Sequence, residues 1–335
     1  MRSKQAPIPS GFGAKTTARV ALGDVDLFGK TAIVTGGYSG LGMETARVLT
    51  EAGATVIVPA RSPHKAREAL RSFARIEMET IDLMDPSSID SFAARFLETG
   101  RPLHLLVHSA GIMATQLQRD ARGYEAQLTT NHLGHFHLTA RLWSALRKAG
   151  GARVVSVSSR AHRIAGVDFS DPNFERREYQ KWPAYGQSKS ANVLFAVGLD
   201  LRGEPHGVRA FAVHPGTVLT DLARHLSQAE LRELGALDDQ GRVRTDEGSG
   251  LKTVEQGAAT SVWCATSPQL RGMGGVYCED CDVAEATSAD EPRPSGVRPW
   301  AVDPELAEKL WTLSEGTQSR KTRRRRPLSP RAFRD

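Results

Sequence analysis

The sequence predicts an α/β protein built on one doubly wound parallel sheet of about seven strands. The first observation behind this prediction is a set of short runs rich in Val and Ile, which end in Gly, Ser or Pro. Such runs are typical of strands that are buried on both faces of a sheet. The second observation is that segments of helical character separate the runs, as in the crossovers between parallel strands. The predicted strands are Thr31–Thr35, Thr55–Ala60, Arg75–Leu83, Leu103–His108, Arg153–Ser158, Val208–His214 and Gly275–Tyr277.

The composition is that of an ordinary globular protein. Of the 335 residues, 40% are hydrophobic and 24% are charged, which excludes collagen-like, coiled-coil and wholly disordered chains. No run of about 18 apolar residues occurs, so no transmembrane helix is predicted. The N-terminus lacks the apolar segment of a signal peptide, and three cysteines are too few for a disulfide framework. We therefore expect a cytoplasmic protein.

Basic charge is concentrated at the C-terminal end of the chain. The formal net charge is +6, but residues 320–335 hold eight Lys or Arg and one acid. The rest of the chain therefore has a net charge of −1. A nucleic-acid-binding fold carries its basic charge on the folded body, so we do not expect the body of this protein to bind nucleic acid.

Three regions interrupt the alternation of strands and helices. A lead-in with Pro and Gly precedes the first strand, a polar segment follows the sixth strand, and a Pro-bearing region follows the seventh. The like charges of the basic tail repel one another and the tail has few apolar residues, so we expect it to be disordered. The predicted organisation is an N-terminal extension over 1–26, one folded domain over 27–285 with a substrate lid over 221–254, a C-terminal extension over 286–319 with a short helix at Asp303–Ser314, and the tail over 320–335.

The strongest local signal follows the first predicted strand. The segment Thr35–Gly42 (TGGYSGLG) leads into a helical stretch over Met43–Glu51. At such a junction, backbone N–H groups and the helix dipole face a pyrophosphate, and the glycines let it approach. The pattern therefore predicts a dinucleotide site on a Rossmann-type fold. A simple turn without a ligand is the alternative.

The spacing T-G-x-x-x-G-x-G resembles the cofactor loop of the short-chain dehydrogenase/reductase family. Five further motifs match that family in order, and the resemblance covers roughly residues 25–282. It implies a single Rossmann-type domain and a nicotinamide-dependent oxidoreductase. The further motifs are His108–Gly111 (HSAG, where the family usually has NNAG), Asn131 in NHLGHF, Ser158–Ser159 at the end of the fifth strand, Tyr185–Lys189 (YGQSK, the family's Y-x-x-x-K) and His214–Gly216 (HPG).

Within the family, the chain most resembles the branch of the retinol dehydrogenases and WW-domain oxidoreductase. The segments NHLGHFHL and GFGAKTTA carry this closer likeness, as does the step of 26 residues from Ser159 to Tyr185. Because that step is longer than in the commonest members, we expect an insertion at Asp168–Trp182 beside the active site.

The resemblance implies that Tyr185 is the general acid/base of a hydride transfer between nicotinamide and a carbonyl or alcohol. Tyr185 and Lys189 are four residues apart and therefore share one helix face. An ammonium nearby is expected to lower the pKa of the tyrosine from about 10 by roughly two units. Ser159 would hydrogen-bond the substrate oxygen. By resemblance, Lys189 also holds the nicotinamide ribose, and Asn131 positions a water in a proton relay to Lys189.

The resemblance also assigns the cofactor contacts. Thr220 and the backbone near Val218 would anchor the nicotinamide carboxamide, and Asp82 and Leu83 would flank the adenine. The HSAG motif departs from the family at its first two positions but keeps the small residues that allow a close backbone approach. No metal ligand is implied. The implied cofactor-binding residues are Gly36, Tyr38, Ser39, Gly40, Leu41, Gly42, Arg61, Asp82, Leu83, Ser109, Ala110, Gly111, Tyr185, Lys189, Pro215, Gly216, Val218 and Thr220.

The second predicted strand indicates NADP(H) as the preferred cofactor, with NAD(H) as the alternative. An NAD site of this type usually has an acid at the end of that strand, where it accepts both ribose hydroxyls. No Asp or Glu occurs between Gly53 and Glu68, and Arg61 follows the strand directly. Its planar, permanently charged guanidinium suits a 2′-phosphate. His64 and Lys65 add positive charge.

Two clusters of potential metal ligands are interpreted as structural. The segment CEDC holds two cysteines, but a zinc site needs a second pair or nearby histidines, and only Cys264 remains. Three histidines lie within NHLGHFHL, but their offsets of 3 and 5 residues cannot all share one helix face. The residues concerned are Cys278, Cys281, His132, His135 and His137.

Two other functions stay open at this point. One is reduction of an activated C=C bond, because protochlorophyllide reductase resembles this branch. The other is a dinucleotide-binding regulator without turnover, although such proteins often lose the Tyr or Lys that this chain retains. A small carbonyl or alcohol is expected as substrate, and Phe174, Trp182, Leu219 and Leu222 indicate an apolar pocket. Family members commonly assemble through the helix that bears the tyrosine, which implies a homodimer or homotetramer.

Overall fold

The structure of the protein is a computed structural model that describes residues 4–73, 75–244 and 250–318. The tail predicted over 320–335 and part of the predicted lid lie outside the described residues. None of the helices within the described ranges has the length and apolar character needed to cross a bilayer.

A single sheet runs through the described part of the chain. Its strands are β1 (Thr31–Thr35), β2 (Thr55–Ala60), β3 (Ile76–Thr80), β4 (Leu105–His108), β5 (Ala152–Val157), β6 (Val208–His214), β7 (Val276–Glu279) and β8 (Asp282–Val283). They lie in the order β3-β2-β1-β4-β5-β6-β7-β8, and all neighbours are parallel except β7 and β8. The predicted doubly wound parallel sheet is therefore confirmed, with the order of strands reversing between β1 and β4.

The sequence does not predict β8, and the turn before it explains why. Asp280 and Cys281 connect β7 to β8 and have positive φ angles of 52° and 59°. Two-residue turns with such angles usually hold Asn or Gly, so this one gives no recognisable signal. The predicted third strand, 75–83, is also too long. Its observed counterpart β3 lies at the sheet edge and is only partly buried, so pairing ends at Thr80.

Helices cover both faces of the sheet. They are α1 (Ala18–Leu22), α2 (Gly40–Glu51), α3 (Pro63–Leu70), α4 (Pro86–Glu98), α5 (Ala126–Leu128), α6 (Gly134–Arg141), α7 (Trp143–Lys148), α8 (Lys181–Gly203), α9 (Gln228–Glu233), α10 (Val254–Thr266), α11 (Pro299–Val302) and α12 (Pro304–Gln318). Side chains of each strand alternate between the two layers. Ala32 and Val34 of β1 pack with α2 and α10, whereas Ile33 packs with α4, α6 and α8.

The N-terminal segment is fastened to the far edge of the sheet. The side chain of Gln5 donates to the carbonyls of Tyr277, at 2.8 Å, and Ala284, at 2.6 Å. The Asp282 carboxylate accepts a hydrogen bond from the Ile8 N–H at 2.9 Å. These contacts join the start of the described chain to the β7–β8 hairpin.

The C-terminal helix packs against the helix that bears Tyr185. The short helix predicted over 303–314 is observed as α12 and packs along α8. The ring of Trp311 on α12 stacks on that of Phe195 on α8, with 6.3 Å between centroids. Every α8 residue over 184–200 is buried. The chain itself therefore covers the sides of α8 that the sheet leaves open.

Candidate active site

A cavity of about 990 Å³ opens at the carboxyl ends of the parallel strands, across the point where their order reverses. In open α/β sheets this crevice is the usual place for a ligand. All the residues that the sequence assigns to cofactor binding line the cavity, and so does Ser159. Asn131 does not line it and lies behind its wall.

The Gly-rich loop after β1 forms one end of the cavity. Gly36 has a φ angle of +68°, and a Cβ atom there would lie 2.9 Å from Cα of Ala110. A Cβ atom on Gly42 would lie 2.4 Å from the Gly36 carbonyl oxygen. Only glycine fits both positions. The first residues of α2 therefore come close to the cavity, where their N–H groups suit a bound phosphate.

Thr35 joins this loop to the end of β4. Its Oγ1 atom accepts hydrogen bonds from the N–H groups of Ser109 and Ala110, both at 3.1 Å. The same atom lies 2.8 Å from Nε2 of His135. Thr35 belongs to the predicted loop motif, but no role is predicted for it. A threonine that ends a buried strand carries no separate signal, because its partners come from a distant part of the chain.

Arg61 lies at the rim of the cavity, directly after β2. Its side chain is exposed, and no hydrogen-bond or ion-pair partner for it is found in the described part of the chain. No carboxylate lies at the end of β2, where the strand ends in Ala60. Asp82 and Leu83 follow β3 and line the neighbouring wall. The cavity therefore presents a positive charge at the end of β2.

Tyr185 and Ser159 both line the cavity. Ser159 follows β5, and Tyr185 lies in the second turn of α8. The Ser159 side chain is close enough to favour the Tyr185 phenolate by hydrogen bonding. Burial raises the pKa of Tyr185 above its ordinary value, and the hydrogen bond with Ser159 opposes this only partly. The expected lowering of the tyrosine pKa is therefore not observed, because desolvation of the phenolate outweighs the stabilising contacts.

Lys189 lies one helical turn beyond Tyr185 and is also buried. Its Nζ atom donates to the Val157 carbonyl at 2.9 Å. Burial lowers the pKa of Lys189 to about 7. The lysine is therefore partly neutral near physiological pH, which weakens the positive field that was expected to act on the tyrosine.

Asn131 lies in a π-helix, Thr129–Leu133, between α5 and α6. Such single-turn widenings are frequent at functional sites. Its side-chain amide donates to the Ile112 carbonyl at 3.0 Å and to Ser188 Oγ at 2.9 Å, and accepts the Ile112 N–H at 2.9 Å. The residue thus ties the loop after β4 to α8. Because its side chain is fully hydrogen-bonded to protein atoms, any water in a relay would have to bind the backbone of Asn131.

Comparison with known proteins identifies the family. The family model described as short chain dehydrogenase matches residues 30–231, which is more than half of the chain. The chain belongs to the short-chain dehydrogenase family. A protein named "Probable oxidoreductase" from Streptomyces antibioticus is 47% identical over 294 residues, covering 86% of this chain and 97% of that protein. Human retinol dehydrogenase 12 is 37% identical over 297 residues, covering 87% of each chain.

A solved structure supports the same conclusion. The crystal structure of an uncharacterised protein from Mycobacterium paratuberculosis matches with a TM-score of 0.67 and 31% identity, covering 90% of this chain and 98% of that one. The predicted family, its retinol dehydrogenase branch and the fold are therefore confirmed. This short-chain dehydrogenase is an oxidoreductase of a family that binds nicotinamide dinucleotides.

The described part of the predicted lid closes one side of the site in this short-chain dehydrogenase. Glu230 on α9 accepts hydrogen bonds from Lys181 Nζ, at 2.6 Å, and from Trp182 Nε1, at 3.1 Å. Both partners lie at the start of α8, just before Tyr185. Glu230 is not predicted from the sequence, since an acid on a short polar helix gives no sign of a partner 48 residues away.

The apolar wall of the cavity differs in part from the prediction. Trp182, Leu219 and Leu222 line it as expected. Phe174 does not, and the prediction for this residue is wrong. Its ring packs instead against Arg177, whose guanidinium carbon lies 3.8 Å from the ring centroid. The further apolar lining comes from Met113, Ile164, Leu226, Leu231, Leu234 and Ala236.

The histidines of one suspected cluster contact separate partners, whereas the three cysteines lie together. His132 contacts Ser314, His135 contacts Thr35, and His137 lies 2.6 Å from Asp90. The three cysteines are free and buried beside the β7–β8 hairpin. Among the described residues, no group of three or more potential ligands is arranged to hold a metal ion.

Proposed function

We propose that this protein interconverts an alcohol and a ketone or aldehyde with NADP(H), using Tyr185 as general acid/base. The observation that supports this most directly is that Ser159 and Tyr185 line the same cavity as the Gly-rich loop, with Ser159 near enough to act on the Tyr185 hydroxyl. A dinucleotide held by that loop would bring its nicotinamide toward Pro215, Val218 and the pair of hydroxyls.

The protein's residues would act on the substrate oxygen while the cofactor supplies or accepts the hydride. In the reductive direction, Ser159 holds the carbonyl oxygen and Tyr185 donates its proton to it as negative charge develops. In the oxidative direction, the same tyrosine takes the proton from the alcohol. Lys189 holds the nicotinamide ribose and supplies a proton path to Tyr185, and Asn131 keeps the wall beside Lys189 in place.

The protonation states favour carbonyl reduction at neutral pH. Because burial raises the pKa of Tyr185, the hydroxyl stays protonated and is ready to donate. Alcohol oxidation requires the deprotonated form, which becomes more populated as pH rises. We therefore propose that reduction is the easier direction near neutrality and that oxidation gains with alkaline pH.

The residues around the dinucleotide loop fit a nicotinamide cofactor, and Arg61 favours its phosphorylated form. The close approach of Gly36 to Ala110 shapes this end of the cavity, and any side chain on Gly36 would prevent it. Arg61 is unpaired within the described residues and lies where a 2′-phosphate of NADP(H) would be placed. NAD(H) remains a weaker alternative ligand in this proposal, because no acid is present to accept its ribose hydroxyls.

The substrate is proposed to be a small, largely apolar carbonyl compound or alcohol. Leucines of the lid, Trp182 and Ile164 form the wall beside Ser159. The experiment is a panel of aldehydes, ketones, alcohols and enones, followed through nicotinamide absorbance with NADPH or NADP⁺. Turnover of carbonyls supports the proposal, and turnover of enones alone would indicate a C=C reductase. Tight NADPH binding without turnover on any compound would indicate a regulator.

Assembly and location are also proposals. A homodimer or homotetramer is expected, but its contact cannot use the middle of α8, because residues 184–200 are buried within one chain. Another surface must form the contact between subunits. The mass of the purified protein, measured by light scattering, tests whether it is a dimer or a tetramer. A cytoplasmic site of action is consistent with three free thiols, and cell fractionation tests it.

A further inference from the structure

The turn that carries Ser159 is fixed by a buried histidine. Arg160–Arg163 form a single 3₁₀ turn after β5, and His162 within it is fully buried. Its Nε2 atom accepts the N–H of Arg298 at 3.2 Å. Its other ring nitrogen, Nδ1, therefore carries the proton and donates to the Ser159 carbonyl at 2.8 Å. The imidazole thus links the backbone of Ser159 to the C-terminal segment.

A second contact from the same segment holds this histidine in place. Trp300 Nε1 donates to the His162 carbonyl at 3.1 Å, and Ser190 Oγ on α8 donates to the same carbonyl at 3.0 Å. The indole of Trp300 lies against Gly166, where a Cβ atom would be 3.3 Å from the ring. The Ser159 turn is therefore held between α8 and residues 298–300.

The π-helix that contains Asn131 is fixed in a similar way by His132, the residue after Asn131. His132 Nε2 lies 2.8 Å from Ser314 Oγ on α12. Ser314 donates its own proton to the Leu310 carbonyl at 2.7 Å, so its oxygen accepts from His132. Both side chains are buried. The C-terminal segment thus contacts two elements of the site.

Both histidines are fixed hydrogen-bonding groups. Burial lowers the pKa of His162 to about 4 and that of His132 to about 3, so both are neutral near pH 7. Neither ring lines the cavity, so neither can touch substrate or cofactor directly. Any effect on turnover must pass through the residues to which they are attached.

We propose that His162 and His132 are positioning residues, through which Arg298, Trp300 and Ser314 of the C-terminal segment 286–318 hold Ser159 and Asn131 in place. This inference rests on the proposed function, which makes Ser159 and Asn131 working residues. The segment lies outside the range of the family match, 30–231. It is nevertheless joined to the site by hydrogen bonds that Arg298 and Trp300 donate and that Ser314 accepts.

Substitutions of His162 separate its two hydrogen bonds. His162→Asn places an amide N–H where Nδ1 is and keeps the hydrogen bond to the Ser159 carbonyl. His162→Gln places an amide oxygen near the Arg298 N–H and keeps that hydrogen bond, but loses the one to the Ser159 carbonyl. Displacing a reacting group by a fraction of an ångström is costly, so His162→Ala should lower kcat at least about 10-fold. His162→Asn should restore most of that loss and His162→Gln should not. The Kd for NADPH should stay within about 2-fold in all three.

Milder changes in the C-terminal segment test the same claim without altering the buried histidines. Trp300→Phe removes the N–H and the five-membered ring of the indole but keeps a six-membered aromatic ring, and Ser314→Ala removes the partner of His132. Each should lower kcat by about 3- to 10-fold with little effect on the Kd for NADPH. The matched control is Glu308→Gln, which breaks the exposed α12 ion pair with Arg202 and should leave kcat unchanged.

The outcomes separate this inference from the proposed function. If the wild-type protein does not turn over any carbonyl compound, the proposed function fails and the inference falls with it. If it does turn over, equal losses in His162→Asn and His162→Gln would overturn the positioning role. The positioning role would also be overturned if the loss of kcat across the variants were proportional to their loss of thermal stability, or if Glu308→Gln lost as much kcat as they do.

Discussion

The Nζ atom of Lys189 lies 5.5 Å from the centroid of the Tyr185 ring, and both side chains are buried in the N-terminal half of α8. Two polar side chains in such a position are costly to bury. Burial raises the pKa of Tyr185 and lowers that of Lys189 to about 7, so each is driven toward its neutral form. The site therefore holds an ammonium group that destabilises the folded protein, as expected where function and stability compete.

Lys189→Met should stabilise the protein while abolishing activity. The unfolded lysine has a pKa of about 10.4 and the folded one about 7. Between these pH values the unfolded chain holds a proton that the folded chain has lost, so the stability of the wild type rises with pH. The variant lacks this dependence. Its free energy of unfolding should exceed that of the wild type by roughly 2–4 kcal/mol at pH 7 and below, with the difference shrinking toward pH 10.

Denaturant unfolding without cofactor, from about pH 6 to about pH 10, measures this effect. The Val157 carbonyl keeps a donor in the variant, because Asn192 Nδ2 also bonds to it at 2.9 Å. Lys309→Met, at an exposed position on α12, is the control and should change neither stability nor its pH dependence. A Lys189→Met variant that is less stable than the wild type, or a pH-independent difference, would contradict the argument.

Arg61→Ala should remove most of the preference for NADP(H). A charge-assisted hydrogen bond to a 2′-phosphate is expected to give a preference of roughly 10- to 150-fold over NAD(H) in the wild type. The substitution should weaken NADPH binding by a similar factor and leave NADH almost unaffected. Fluorescence titration of both cofactors measures the Kd values. The prediction is wrong if the wild type has an equal or better kcat/KM with NADH.

Glu230→Gln should loosen the lid without altering the chemistry. Hydrogen bonds from Lys181 and Ser227 lower the pKa of Glu230 to about 2, so the carboxylate stays charged over the working pH range. Glutamine can still cap α9 but cannot pair with the ammonium. The expected result is a KM for the substrate raised by roughly 2- to 5-fold, with kcat nearly unchanged, because a partly exposed ion pair contributes little free energy. Steady-state kinetics measure both constants.

A double variant identifies the contact that is responsible. Lys181→Met should raise KM to the same extent as Glu230→Gln, and the double variant should be no worse than either single one. Additive effects would show that the two residues act separately and that the ion pair does not hold the lid.

The sequence predicts the parallel sheet well because its strands are buried on both faces. Runs such as Thr31–Thr35 and Val208–His214 then have the same apolar character along their whole length, and the observed strands β1 and β6 have the same limits. The motifs of the site are also local, since the Gly-rich loop and the pair Tyr185 and Lys189 each lie within eight residues. Periodicity and spacing are enough for features of this kind.

Long-range contacts and desolvation are what the sequence does not predict. Thr35 meets His135 across 100 residues, and Glu230 meets Trp182 across 48. The pKa of Tyr185 depends on how deeply α8 is buried, and α12 supplies part of that burial from the far end of the chain. The aromatic residue Phe174 looked like a pocket residue because its sequence position gives no information about the direction of its ring.

Turnover by Tyr185→Phe tests the central claim most directly. The substitution removes the hydroxyl and leaves the ring packed 6.2 Å from that of Trp182, so the fold and the Kd for NADPH should be nearly unchanged. On the best carbonyl substrate of the panel, kcat should fall at least about 100-fold, the low end for loss of a general acid. A variant that keeps more than about a tenth of the wild-type kcat would contradict the assignment of Tyr185 as the general acid.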